Sequence, residues 1–155
     1  MAVFTAAEAL EMAIEIEENG EVFYNQAAER SADADIKALF EDLAVQEQRH
    51  RQVFKKMLGG VESALESPAV EYDQYETYLN VALENALFAG PEKALTLAKQ
   101  ATDRETALRA AMGFEKDTLL FFYDLRDMVG EKDRDAVSAV IREEKKHLRR
   151  LTEML

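Results

Sequence analysis

The chain contains two histidines, and each follows a glutamate by three residues, as Glu47-x-x-His50 and Glu144-x-x-His147. Positions three apart on a helix share a face, so each motif would present a carboxylate and an imidazole side by side. A lone Glu-x-x-His is ordinarily a pair of surface side chains. Here the neighbouring turns hold Phe40, Leu43 and Phe54 around Glu47, and Val137, Val140, Leu148 and Leu151 around Glu144. Carboxylates set within apolar stripes should face a core. Glu17, with Leu10, Ala13 and Tyr24 along its face, and Glu115, with Leu108, Ala111 and Phe122, repeat the anomaly.

Four carboxylates aimed into one interior would repel each other and lose their hydration, so they need a compensating positive charge. Two divalent cations match four ionised glutamates, and two neutral imidazoles add donors without disturbing that balance. Glutamate together with histidine suits iron or manganese, whereas structural zinc favours cysteine and calcium favours oxygen alone. Iron is the first choice and manganese the alternative, with zinc a substitute ion in crystals by the affinity order of divalent metals. The expected metal ligands are Glu17, Glu47, His50, Glu115, Glu144 and His147. Glu15, Glu18 and Glu143 lie about 100° or more around their helices from these ligands and are read as solvated charges. Glu21, one turn beyond Glu17, is read as a salt-bridging charge in preference to an extra ligand. Tyr24, two turns along from Glu17, is the candidate to hydrogen-bond a ligand or pass an electron. Tyr123 and the methionines at positions 12, 57, 112 and 154 fill space in the core.

Helical elements must carry these positions. Apolar spacing predicts a first helix over residues 5–30. Ser31-Ala-Asp33-Ala-Asp35 offers N-cap residues for a second, which Gly59-Gly60 should end. A loop over 61–68 and a short helix over 72–89 follow, closed by Gly90-Pro91, and Pro91 can open a further helical segment. Thr102 with Glu105 resembles a capping box restarting a helix that runs to about Val129. Gly130 should end it, and a final helix capped near Asp133 should span Ala136 to Leu155. Residues 5–58 laid on 103–155 form an internal repeat: Leu10, Ala13, Glu17 and Phe23 fall on Leu108, Ala111, Glu115 and Phe121, and Glu47, His50, Met57 and Leu58 fall on Glu144, His147, Met154 and Leu155. The fold class expected is all-α: an antiparallel four-helix bundle of two hairpins, 5–58 and 103–155, joined by a long crossover, 61–90, that contains a short helix. At 155 residues the chain fits one domain over 1–155.

Composition narrows the partners. With no cysteine, thiolate nucleophiles, disulfides, zinc fingers and iron–sulfur clusters are excluded. A net charge of −12 argues against nucleic-acid phosphates or anionic lipid and in favour of cations. The absence of a basic, apolar leader and of any long uncharged run places the expected location in the cytoplasm.

The chain resembles the rubrerythrin-like branch of the ferritin-like superfamily. The resemblance is carried by Ala13-x-x-x-Glu17 with Phe23-Tyr24, Glu47-x-x-His50, Gly113-Phe-Glu115-Lys-Asp117 with Phe121-Phe-Tyr123, and Glu144-Lys-Lys-His147. It implies that the six residues bind a non-haem di-iron centre and that the protein is an oxidoreductase reducing peroxide or dioxygen, drawing on an external electron donor and acting as a homodimer. The alternatives are a ferroxidase subunit for iron storage or delivery, and a non-catalytic metal-binding helical module. Two departures matter. Rubrerythrins proper add a cysteine-ligated rubredoxin iron, which this chain cannot build. Their sites also carry a further carboxylate one turn from the third-helix ligand, whereas here Ile14 and Gly20 flank Glu17, and Met112 and Thr118 flank Glu115.

Overall fold

In a computed structural model the described residues are 3–64, 69–71 and 90–155. The first helix, α1, spans Ala6–Arg30 behind a capping box: the Thr5 side chain accepts from the Glu8 amide at 3.2 Å, and Glu8 accepts from the Thr5 amide at 2.8 Å. Asp33 opens α2 (Ala34–Ala64) by accepting from the Asp35 and Ile36 amides at 2.9 and 3.2 Å. After the crossover, Pro91 begins α3 (Pro91–Gln100), followed by α4 (Arg104–Met128) and α5 (Glu131–Met154). The α1 and α2 helices pack as one hairpin, α4 and α5 as the other, and α1 joins them through α4. Ala94 and Ala98, fully buried and four residues apart, let α3 lie closely against α1. Two three-residue segments, β1 (Val3–Thr5) and β2 (Ala69–Glu71), pair antiparallel with Thr5 opposite Ala69. The all-α class expected from the sequence holds, with this short ribbon as its one addition among the described residues.

Several boundaries differ from the sequence reading. Gly59-Gly60 does not end α2, which continues to Ala64. Each glycine costs a helix about 1 kcal/mol relative to alanine, and the buried Val61 beyond them keeps the helix on the core. The loop expected from residue 61 therefore cannot begin before residue 65. Asp103, not Thr102, caps α4, accepting from the Thr106 amide at 2.7 Å. Gly130 is the N-cap of α5, so that helix starts at Glu131 and not near Ala136. The acidic Glu131 and Asp133 then sit in the first turn, where the helix dipole favours them. The short helix expected over 72–89 lies outside the described residues.

The core is rich in aromatic rings, with Phe23, Phe40, Phe54, Phe114, Phe121 and Phe122 all buried. One close approach depends on a missing side chain. A Cβ at Gly20 of α1 would stand 2.8 Å from the Phe114 ring and 3.2 Å from Glu47 Oε2. Gly20→Ala should therefore lower stability, because overpacking of about 1–3 kcal/mol outweighs the roughly 1 kcal/mol that alanine adds to an exposed helix. A lower midpoint of chemical denaturation checks this, and a rise in the midpoint contradicts it. Among the described residues no helix is long and apolar enough to cross a membrane.

Candidate metal centre

The four long helices each deliver a carboxylate to one point: Glu17 from α1, Glu47 from α2, Glu115 from α4 and Glu144 from α5. All four are fully excluded from solvent, and His50 and His147 are buried beside them. Amphipathic periodicity explains the convergence, since each side chain occupies a core-facing position of its helix. Two sets of donors result. Glu17, Glu47, His50 and Glu144 bring donor atoms within 4.8 Å of one another, and so do Glu47, Glu115, Glu144 and His147. Glu47 and Glu144 are common to both sets. Glu144 Oε1 lies 2.7 Å from His50 Nδ1, and Glu144 Oε2 lies 2.9 Å from His147 Nδ1. The two imidazoles stack with ring centres 5.5 Å apart.

These atoms converge without satisfying each other. Both oxygens of Glu17, Glu47 and Glu144, Glu115 Oε2 and the Nδ1 atoms of both histidines lack a hydrogen-bond partner of acceptable geometry, even where the distance is short. A buried polar group left unpaired is strongly disfavoured. Donors about 3 Å apart are what ligands at about 2.1 Å around a shared divalent ion require. The oxygen and imidazole donors fit a pair of first-row ions, and each set could hold one.

Electrostatics give the same reading. Burial, and then the charge of Glu144, hold Glu17 and Glu115 well above the usual carboxylate range, and Glu47 is raised likewise. Glu144 lies well below that range: burial pushes it up, but the close approach of the His147 and His50 imidazoles outweighs that effect. Burial also opposes protonation of His50, yet Glu144, Glu47 and Glu143 lift it to about 9. His147 is raised by Glu115, Glu144 and Glu47 against the same desolvation. Without cations, the cluster retains protons that an exposed set would release.

A pH dependence follows. Groups whose pKa is higher in the folded chain contribute stability fully below their unfolded values, 4.5 for glutamate and 6.5 for histidine, and lose it as pH rises through the folded value. For His50 that loss is centred near pH 9. Glu144 has the opposite sign, but its contribution is lost only in acid, below 4.5. Chelator-treated protein should accordingly melt at progressively lower temperature from about pH 6 to pH 9.5, and added Mn(II) should flatten or reverse that slope. Parallel curves with and without the ion would contradict the expectation.

Further contacts shape the cluster, and some escaped the sequence reading. The Tyr24 hydroxyl donates to Glu115 Oε1 across the bundle, and burial followed by the charge of Glu115 raises the tyrosine well above its usual range. Tyr24 thus reaches the carboxylate of α4, not that of its own helix. Glu143, read as a solvated charge, is half-exposed but lies 2.7 Å from His50 Nε2. With Nδ1 turned into the cluster, Nε2 carries the proton that Glu143 accepts. Helical angle alone separated Glu143 from the candidate ligands Glu144 and His147 on α5, but its partner stands on α2, so only the hairpin packing brings them together. Glu21 pairs with Arg51 at 2.6 Å, as a salt-bridging charge should. Tyr123 packs at the edge of the core with Arg126 and Lys145 over its ring. Thr118, one turn from Glu115, is fully buried with its hydroxyl unpartnered.

Comparison with known proteins agrees with this architecture. The family model described as Rubrerythrin matches residues 8–155. The chain also resembles the crystal structure of a protein from Thermotoga maritima described as a ferritin-like diiron-carboxylate protein. Identity is 26%, coverage is 99% of this chain and 96% of that one, and the TM-score is 0.71. Among curated proteins, none matches.

Proposed function

This chain belongs to the rubrerythrin family, and from that premise we propose that it is an oxidoreductase in which a carboxylate-bound pair of iron ions reduces peroxide or dioxygen. The observation that carries the reading is the set of buried carboxylate and imidazole atoms that converge from four helices without hydrogen-bond partners. Glu17 and His50 would hold one ion and Glu115 and His147 the other, with Glu47 and Glu144 shared between them. When bound, a reduced iron pair supplies the two electrons that the oxidant takes up.

The chain's own residues supply the rest. Tyr24 holds Glu115 Oε1 by its hydroxyl and leaves Oε2 free. That hydroxyl is also a buried proton beside the cluster. With a metal bound, Glu143, by accepting from Nε2, would fix the His50 tautomer so that the Nδ1 lone pair faces inward. The rings of Phe23, Phe40, Phe54, Phe114 and Phe122 exclude bulk water, which strengthens every charge interaction inside. Lacking cysteine, the chain would draw its electrons from a separate donor. A single domain acting as a cytoplasmic homodimer completes the proposal.

Stopped-flow mixing tests it. Protein loaded with Fe(II) should be oxidised by peroxide, by dioxygen or by both faster than Fe(II) in buffer. No acceleration with either oxidant ends the reading.

A further inference from the structure

The two hairpins repeat each other, yet the surroundings of the cluster do not. The register that lays Phe23 on Phe121 lays Tyr24 on Phe122, so the hydroxyl bonded to Glu115 has no counterpart for Glu17. Both Glu17 oxygens are without a hydrogen-bond partner, whereas Glu115 keeps only Oε2 in that state. The register that lays Glu47 on Glu144 lays Gln46 on Glu143. A carboxylate therefore backs the His50 imidazole at 2.7 Å. The equivalent residue in the first hairpin, Gln46, is a neutral amide.

We infer that the two metal positions are unequal, the one formed by Glu17 and His50 binding its ion first and more tightly than the one formed by Glu115 and His147. The inference rests on the metal-binding reading above. A carboxylate oxygen that already accepts an O–H has less electron density to give a cation, so Tyr24 weakens Glu115 as a donor. An imidazole whose far N–H is held by a carboxylate is a more basic ligand, so Glu143 strengthens His50. Both differences favour the same position. Each arises from a single side chain that breaks the repeat, Tyr24 in place of a phenylalanine and Glu143 in place of a glutamine.

The test is calorimetric titration of the chelator-treated full chain with Mn(II), alongside the electron paramagnetic resonance spectrum at one and two ions per chain. The parent should show two steps, with an isolated-ion spectrum after the first and a coupled pair after the second. Repulsion between ions would split two identical positions as well, so the variants decide. Glu143→Gln should weaken the tight step by about 10–100-fold and leave the weak step in place. Tyr24→Phe should tighten the weak step several-fold and leave the tight one, and it also provides a conservative variant that keeps the ring in the core. Both changes narrow the gap from opposite sides. Effects on the same step, effects of the reverse sign, or no effect of either variant would overturn the inference while two bound ions still upheld the metal-binding reading. Failure of the parent to bind any ion would overturn both.

Discussion

Glu47→Gln should abolish paired metal binding while leaving the ion-free protein at least as stable as its parent. Glu47 contributes to both donor sets, and neither of its oxygens has another partner. An amide offers one neutral oxygen where two charged ones stand, and its NH2 group faces the cation unfavourably. Loss of a partner one step removed from the metal costs about 10–100-fold in affinity, so loss of a shared ligand should exceed that. Without ions the sign reverses. Burial, and then the charges of Glu144 and Glu17, raise the Glu47 pKa, so that this carboxylate is a burden whenever it ionises. The ion-free variant should melt no lower than the ion-free parent near neutral pH and higher in alkali. Inductively coupled plasma metal analysis and melting curves read both effects. A variant that keeps two ions per chain, or that melts lower in both states, would show that Glu47 supports the fold and not the metals.

Adding Fe(II) under anaerobic conditions, or Mn(II), to chelator-treated protein should raise the melting temperature by roughly 10–20 °C when each free ion is held 100-fold above its dissociation constant. The figure comes from mass action: about 2.7 kcal/mol for each of two ions, and about 2–4 °C per kcal/mol for a chain of this size. Ions that relieve repulsion among four buried carboxylates act on the folded state alone, because no such cluster exists in the unfolded chain. Mg(II) at the same concentration is the control, since it keeps its waters and prefers oxygen donors. An unchanged melting temperature with all three ions would remove the basis for a metal centre.

Much of this cluster was legible before any coordinates. Glu17, Glu47, Glu115 and Glu144 each stand in an apolar stripe, and helical period alone turns such positions inward. The two Glu-x-x-His motifs and the hairpin repeat then require that the four inward faces meet. What remained hidden depends on contacts between helices. Tyr24 lies on the face of Glu17 by sequence, but its hydroxyl crosses to Glu115 because the side chain is long and α1 packs beside α4. Glu143 points away from the candidate ligands of its own helix and toward His50 of another hairpin. By helix propensity alone Gly20 would only weaken α1, but the Phe114 ring fills the space where its side chain would be. One helix start was legible from its capping side chain, at Asp33, while at the start of α4 the cap is Asp103 and not the expected Thr102. Helix ends were not legible where burial outweighs propensity, as beyond Gly59-Gly60.

The sequence by itself thus determined the fold class, the set of side chains that face inward and the charge imbalance they create, because these follow from periodicity and composition along one chain. Only the tertiary structure decided which donors share an atom's reach, which histidine has a carboxylate behind it and which glutamate receives a hydroxyl. Those properties depend on distances of a few ångströms between helices far apart in sequence, and no local pattern encodes them.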